Sequence, residues 1–296
     1  MVTSQTVGNR DEIMTIMRDR HASQRTHNKL QNGARSLYGW EYLKTEKVFN
    51  LTMEKNVTNN HEVVTIKQEK REDKMTLDIK TINLLLPYKL GSVNCYLVKT
   101  GDSYILIDTG GSNKRTDLEK ELESAGCKPG YLKLIVITHG DFDHTGNAAY
   151  LSKKFGTKIT MHYDDSGMVE RSDMFWNRKK GNIFLRMIAP ILFGFGKSER
   201  FKPDLYIEDG YDLSGYGLDA KVLHLPGHSK GSIGILTTSG DLFCGDLPEN
   251  KDKPVLNSIM DDSTAANASV EKLKSLKINT VYPGHGKPFP MSSFTK

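Results

Sequence analysis

An α/β fold of two sheets packed face to face, with helices outside, is what this 296-residue sequence predicts. Three observations lead there. Short apolar, β-branched runs recur from Met75 onward, and they fall into two strand-rich halves. Each half is followed by a stretch with helical character, the order expected of sheets covered by helices. A hydrophobic share of 37% with 26% charged residues is that of an ordinary globular chain, long enough to bury a full core.

Taken in order, residues 1–74 differ from the rest. They are polar, lack cysteine and carry only a weak helical pattern around Ile13, Met14, Ile16 and Met17. A charge-dense run at 67–74 reads as a linker. The segment is expected to be an N-terminal extension, poorly ordered or a small helical partner-binding module. The domain proper is expected over 75–296. Strands are expected at 77–84, 93–98 and 104–107, the last running into Asp108-Thr109-Gly110-Gly111. A helix over 113–124 is stopped by Gly126, and a buried strand over 132–137 follows. The spacing then predicts a helix over 143–155 ending at Gly156, and a strand over 158–161. Beyond an insertion at 164–203 come strands at 221–225, 233–237 and 242–244, a helix over 263–276 and a closing strand at 280–282.

The net charge of +5 is small for this length and gathers in neither part of the chain, so no nucleic-acid partner is expected. The three cysteines, Cys95, Cys127 and Cys244, form no even framework and no C-x-x-C pair. They fit a reducing cytoplasm, and the N-terminus shows no apolar signal region. The longest apolar stretch, 183–195, is interrupted by Arg186 and Pro190 and is too short to span a bilayer. The expected setting is cytoplasmic, with a small-molecule substrate and no membrane; a homodimer is left open.

The chemistry concentrates in Thr138-His139-Gly140-Asp141-Phe142-Asp143-His144-Thr145-Gly146, directly after the strand expected at 132–137. His139, Asp141, Asp143 and His144 leave that strand within six residues. Imidazole nitrogen and carboxylate oxygen at this density suit a divalent cation. The plainer reading is a polar loop capping the next helix, with Asp143 as N-cap and His144 in its first turn; two His and two Asp at these positions favour metal over it. Three later stretches add metal-binding residue types just after strands: His228 in Pro226-Gly227-His228, Asp246 in Cys244-Gly245-Asp246, and His285 in Pro283-Gly284-His285.

In this order and spacing the elements resemble the metallo-β-lactamase superfamily, whose pattern is His-x-His-x-Asp-His followed by a lone His, a bridging Asp and a final His. The resemblance runs from about Met75 to the C-terminus and includes Asp108-Thr109-Gly110. It implies a four-layer αβ/βα sandwich with a binuclear site between the sheet edges. Carried over by position, His139 and His228 would hold a first metal. Asp143, His144 and His285 would hold a second, and Asp246 would bridge the two. Asp141 stands where the pattern has its second His. A carboxylate there still ligates but is harder and anionic, which puts metal identity in doubt. Two divalent ions are expected, zinc first, with manganese or iron as alternatives. Sharing a water between two cations lowers its pKa towards neutrality and makes hydroxide available. Asp143 would orient that nucleophile and take its proton.

His162 and His224 read as supporting residues. The insertion at 164–203, with Met168, Met174, Phe175, Trp176 and an apolar run at 183–188, reads either as a cap on the domain's own core or as a lid over the cleft. Its Arg171, Arg178, Lys179 and Lys180 could meet a substrate anion or form a solvated face. The expected activity is hydrolysis of a small ester, thioester or lactone, as the resemblance to the glyoxalase II-like and lactonase-like branches implies. The chain ends at Lys296, without the C-terminal helical domain of glyoxalase II, which argues against a glutathione thioester. The alternatives are a β-lactamase, a phosphodiesterase or nuclease, and a non-catalytic binding protein that keeps metal only for folding.

Overall fold

The computed structural model describes residues 77–178 and 183–294, together with strands at 4–7, 49–58 and 61–70. The chain divides into two compact units, Met1–Lys74 and Met75–Lys296. In the first, β1 (Ser4–Val7), β2 (Phe49–Thr58) and β3 (His61–Lys70) form an antiparallel sheet in the order β1-β3-β2. Little order or a small helical module is the expectation for residues 1–74, and the described part of that segment is this sheet. The run Val63-Val64-Thr65-Ile66 is β-branched and favours a pleated chain. The register closes on Thr58 and His61, so only two residues separate the paired strands. The first residues of the charge-dense run belong to β3 and not to a linker. The helical pattern around Ile13–Met17 lies outside the described residues.

In the second unit, β4 (Ile79–Leu85), β5 (Ser92–Thr100), β6 (Ser103–Ile107), β7 (Leu132–Val136), β8 (Lys158–Met161) and β9 (Leu205–Tyr206) form one sheet in sequence order. Pairing is antiparallel from β4 to β6 and parallel from β6 to β9. The second sheet runs β10 (Ala220–His224), β11 (Ile233–Thr237), β12 (Asp241–Phe243), β15 (Thr280–Tyr282), β16 (Phe289–Pro290), with β12 parallel to β15. The short β13 (Pro248–Glu249) and β14 (Val255–Leu256) pair with each other.

Alternation along the strands builds the layers, because successive side chains point to opposite faces. Tyr96, Val98, Ile105, Ile107, Leu134 and Val136 of the first sheet meet Val222, Ile233, Ile235 and Phe243 of the second in a dry inner core. Their neighbours Leu97, Leu106, Ile135 and Ile137 point the other way, onto α1 (Arg115–Ser124) and its companions. Leu242 and Cys244 of the second sheet face α6 (Ser263–Lys274), which presents Ala266, Val270 and Leu273 at helical spacing. The Asp262 side chain caps this last helix, accepting from the amides of Thr264 and Ala265 at 3.0 Å each. The result is the αβ/βα sandwich.

The helix expected over 143–155 is broken into α2 (Phe142–Thr145) and α3 (Ala148–Phe155). At the break, Gly146 lies against the backbone of Gly110, Gly111 and Ser112, where a β-carbon has no room. The Asn147 side chain donates to the carbonyls of Thr109 (2.8 Å) and Gly111 (2.9 Å), locking the break to the end of β6. The insertion folds as two helices, α4 (Tyr163–Arg171) and α5 (Ile183–Leu192). Val169, Ala189 and Phe195 sink into the outer core, and Phe195 stacks on Phe142 at 4.2 Å. Met187 and Ile191 remain exposed at 70% and 78%.

Residues 75–296 alone are expected to unfold in one cooperative thermal transition, followed by circular dichroism. Loss of that transition on removing residues 1–74 would show that the first unit completes the fold.

Candidate metal centre

All seven candidate residues sit just beyond strand ends at one edge of the sandwich. His139, Asp141, Asp143 and His144 follow β7, the first two in a loop and the last two in α2. His228 follows β10, Asp246 follows β12 and His285 follows β15. Every one is buried. The structure gathers them into overlapping groups: His139 with Asp141 and His228, Asp143 with His144 and His285, and His139 with His144 and Asp246.

The four imidazoles are oriented by what their outer nitrogens bond. His228 Nδ1 donates to the Ile259 carbonyl at 2.7 Å, and His285 Nδ1 to the Ser92 carbonyl at 2.6 Å. His144 Nδ1 lies 2.9 Å from Asp108 Oδ2. Thr138 gives its hydroxyl proton to that same oxygen, so its lone pair accepts from His139 Nδ1 at 3.0 Å. A carbonyl or carboxylate can only accept, so each Nδ1 carries a proton and each Nε2 is the nitrogen turned inward, free to hold an ion once its own proton is gone. Asp108 anchors this scheme with φ +60, a left-handed conformation that Asp tolerates better than most residues.

Opposite those inward nitrogens stand three carboxylates. His144 Nε2 is 3.3 Å from Asp246 Oδ1, and His285 Nε2 is 3.1 Å from Asp246 Oδ2 and 3.5 Å from Asp143 Oδ2. His228 Nε2 is 3.0 Å from Asp141 Oδ2 and 3.9 Å from Asp246 Oδ2, so Asp246 reaches both groups. Among the described residues, His139 Nε2, His144 Nε2 and Asp246 Oδ1 are buried without a hydrogen-bond partner. Ring nitrogens and carboxylate oxygens converging in a buried site need a cation or a proton between them, so the donor set fits divalent metal. The same demand acts on protons. Burial opposes charging His285, but Asp246 and Asp143 outweigh it and lift its pKa from 6.5 to about 9. Burial raises the Asp143 carboxyl, while His144 and His285 pull it back.

Close backbone approach completes the centre. A β-carbon on Gly284 would land on Asp246 Oδ1 and the His144 ring, and one on Gly245, at φ +53, would meet Thr138 and His139. Asn94 holds the His285 loop through the carbonyls of Pro283 (3.0 Å) and Gly286 (2.6 Å). Tyr96 donates to Pro283 at 2.6 Å across the sheets.

Two contacts escaped sequence reading. Asp165, fully buried in α4, accepts from Gly140 N (3.0 Å), Ser229 Oγ (2.6 Å) and Gly231 N (2.7 Å), tying the His139 loop to the His228 loop. Its only sequence signal is a charge on the inward side of a short helix. Arg178 puts Nη2 2.8 Å from Asp141 Oδ1. Burial alone would raise the Asp141 carboxyl, but Arg178 and then His228 hold it well below the usual carboxylate range. Arg171 instead covers Trp176 at 4.0 Å, and Lys179 and Lys180 lie outside the described residues. His162 and His224 stack at 4.3 Å beside Asp164, away from the main donor set. His162 Nδ1 accepts from Asp164 N and His224 Nε2 bonds the Lys230 carbonyl, so these nitrogens are already engaged.

The model of the metallo-beta-lactamase superfamily matches residues 88–285. This chain belongs to that superfamily and is a hydrolase of it. It is 27% identical over 239 residues to the probable metallo-hydrolase YqjP of Bacillus subtilis (strain 168), covering 72% of this chain and 73% of the relative. It is 28% identical over 169 residues to the hydroxyacylglutathione hydrolase GloC of Haemophilus influenzae, covering 55% and 70%. The crystal structure of TTHA1623 in a di-iron-bound form superposes with a TM-score of 0.53 at 28% identity, covering 68% of this chain and 91% of that one. Among the described residues no helix is long and apolar enough to cross a membrane.

The raised His285 pKa sets a pH dependence for the metal-free protein. A raised folded-state pKa stabilises fully below the unfolded value of 6.5, and that stability is lost as pH rises through about 9. The melting temperature of chelator-treated protein is expected to fall across this window, as followed by calorimetry. Ion-loaded protein should not show this loss, because the ion replaces the proton. A metal-free melting temperature that climbs over the same range would contradict the assignment.

Proposed function

We propose that the chain is a metal-dependent hydrolase of a small ester, thioester or lactone. It would work with two divalent ions, one at His139, Asp141 and His228 and one at Asp143, His144 and His285, with Asp246 shared. The observation that carries this reading is the common orientation of four imidazoles. Each spends Nδ1 on a fixed acceptor and turns Nε2 towards carboxylates. A site built only for stability could fill that volume with apolar side chains at less cost than three buried carboxylates. Bound there, the ions would supply Lewis acidity and a water of lowered pKa.

The chain's own residues do the rest. Asp143 orients the attacking water and receives its proton, a task suited to a carboxyl whose pKa burial has raised. Asp108 and Thr138 keep His144 and His139 in one tautomer through turnover. Likeness to GloC, a hydroxyacylglutathione hydrolase, supports the acyl and thioester side of the substrate range. Zinc remains the first choice of metal. The di-iron form of TTHA1623 and the harder carboxylate of Asp141 both support iron as the alternative. The partner is a small-molecule substrate, and the working compartment is the cytoplasm.

Elemental analysis after metal-replete purification should find two equivalents per chain, and one or fewer would count against the two-ion reading. A panel of esters, thioesters, lactones, β-lactams and phosphodiesters should show turnover concentrated in the first three. Asp143→Asn should lower kcat by roughly two or more orders of magnitude, the scale of a general-base step, while the melting profile persists. Near-normal turnover in that variant would remove Asp143 from the mechanism.

A further inference from the structure

Arg178 is the one cation drawn into the donor set among the described residues, and its placement is specific. It follows the turn at 174–177, where Asn177 adopts φ +62 and Arg178 N donates to the Phe175 carbonyl at 3.2 Å. Met174 and Phe175 pack on the outer core and fix where that turn ends. The Arg178 side chain is 7% exposed, and its Nη2 lies 2.8 Å from Asp141 Oδ1. The same nitrogen is 3.4 Å from His228 Nε2. His228 Nε2 itself faces Asp141 Oδ2 at 3.0 Å, so the guanidinium sits against the same two side chains that an ion of this group would use. Arg178 Nε is buried and has no hydrogen-bond partner among the described residues.

Asymmetry between the two groups is the second observation. Asp143 and Asp246 find only histidines as ion-pair partners among the described residues. Asp141 alone has an arginine, and Asp141 alone departs from the superfamily pattern by replacing a neutral imidazole. The extra negative charge and the extra positive charge enter the same corner of the site. A divalent ion on Asp141 and His228 would compete with the guanidinium for Asp141 and meet like charge beside it.

We propose that Arg178 is a resident cation of the His139–Asp141–His228 group, which takes a divalent ion only when the guanidinium leaves Asp141 and His228. This rests on the reading that both groups bind metal. The Asp143–His144–His285 group then loads first. The apparent affinity of the other is reduced by the fraction of molecules in which Arg178 has swung away. Asp141 thus marks the site where loading is conditional, and the turn at 174–178 moves with it.

Calorimetric titration of metal-free full-length protein with zinc, alongside elemental analysis, tests this. The native chain should bind in two steps, the second at least tenfold weaker. Arg178→Gln should tighten the second step tenfold or more and leave the first within twofold. Arg178→Lys keeps the charge and should keep the steps apart. In the native chain, deuterium uptake over residues 174–178 should rise with the second equivalent and not with the first. A second step that Arg178→Gln leaves unchanged or weakens, one that Arg178→Lys tightens equally, or uptake blind to the second equivalent would each overturn the inference. Absence of zinc binding at either step would contradict the metal centre itself, a separate failure.

Discussion

Three carboxylates buried within reach of one another are the constraint around which this molecule is arranged. Asp141, Asp143 and Asp246 are at most 8% exposed, and none could hold its charge there alone. Four imidazoles face them through Nε2, and a proton or a metal ion must lie between the two sets. The surrounding structure serves to stop the proton from being the permanent answer. Asp108, Thr138 and the carbonyls of Ser92 and Ile259 spend the outer nitrogens, so the inner nitrogens stay directed at the site.

The sandwich supplies these groups because each comes off the end of a strand whose body is locked in the inner core. Leu134 and Val136 anchor β7, Val222 anchors β10, and Phe243 anchors β12. Backbone contacts then set the loops against each other: Gly284 N donates to the Gly245 carbonyl at 2.7 Å, and Asn94 N to the Gly284 carbonyl at 2.8 Å. Asp165 does the same for the His139 and His228 loops from a helix in the insertion. That insertion is therefore a cap by packing, yet through Asp165 and Arg178 it also reaches the donor set.

The donor residues were legible in the sequence because they are local. Each follows an apolar run with a turn-forming glycine or proline beside it, and their order along the chain matches the superfamily pattern. The longer strands of the second unit were legible from their apolar runs, whereas the two-residue β9, β13, β14 and β16 are too short to carry a pattern. The break between α2 and α3 was not, because Gly146 and Asn147 interrupt the helix only through contacts with the distant end of β6. Arg178 read as a contact for a substrate anion or part of a solvated face and Asp165 carried no pattern, because only tertiary placement turns both inward. In residues 49–70, polar composition masked a β-branched run that pairs as a hairpin.

The account stands most directly on the tautomers of four histidines, which long-range proton–nitrogen NMR of the zinc-loaded protein can read. His139, His144, His228 and His285 should each appear protonated at Nδ1 and free of a proton at Nε2, with the Nε2 resonance shifted by the ion. A resonance showing any of these four protonated at Nε2 would contradict the arrangement on which the site, its chemistry and its metal depend.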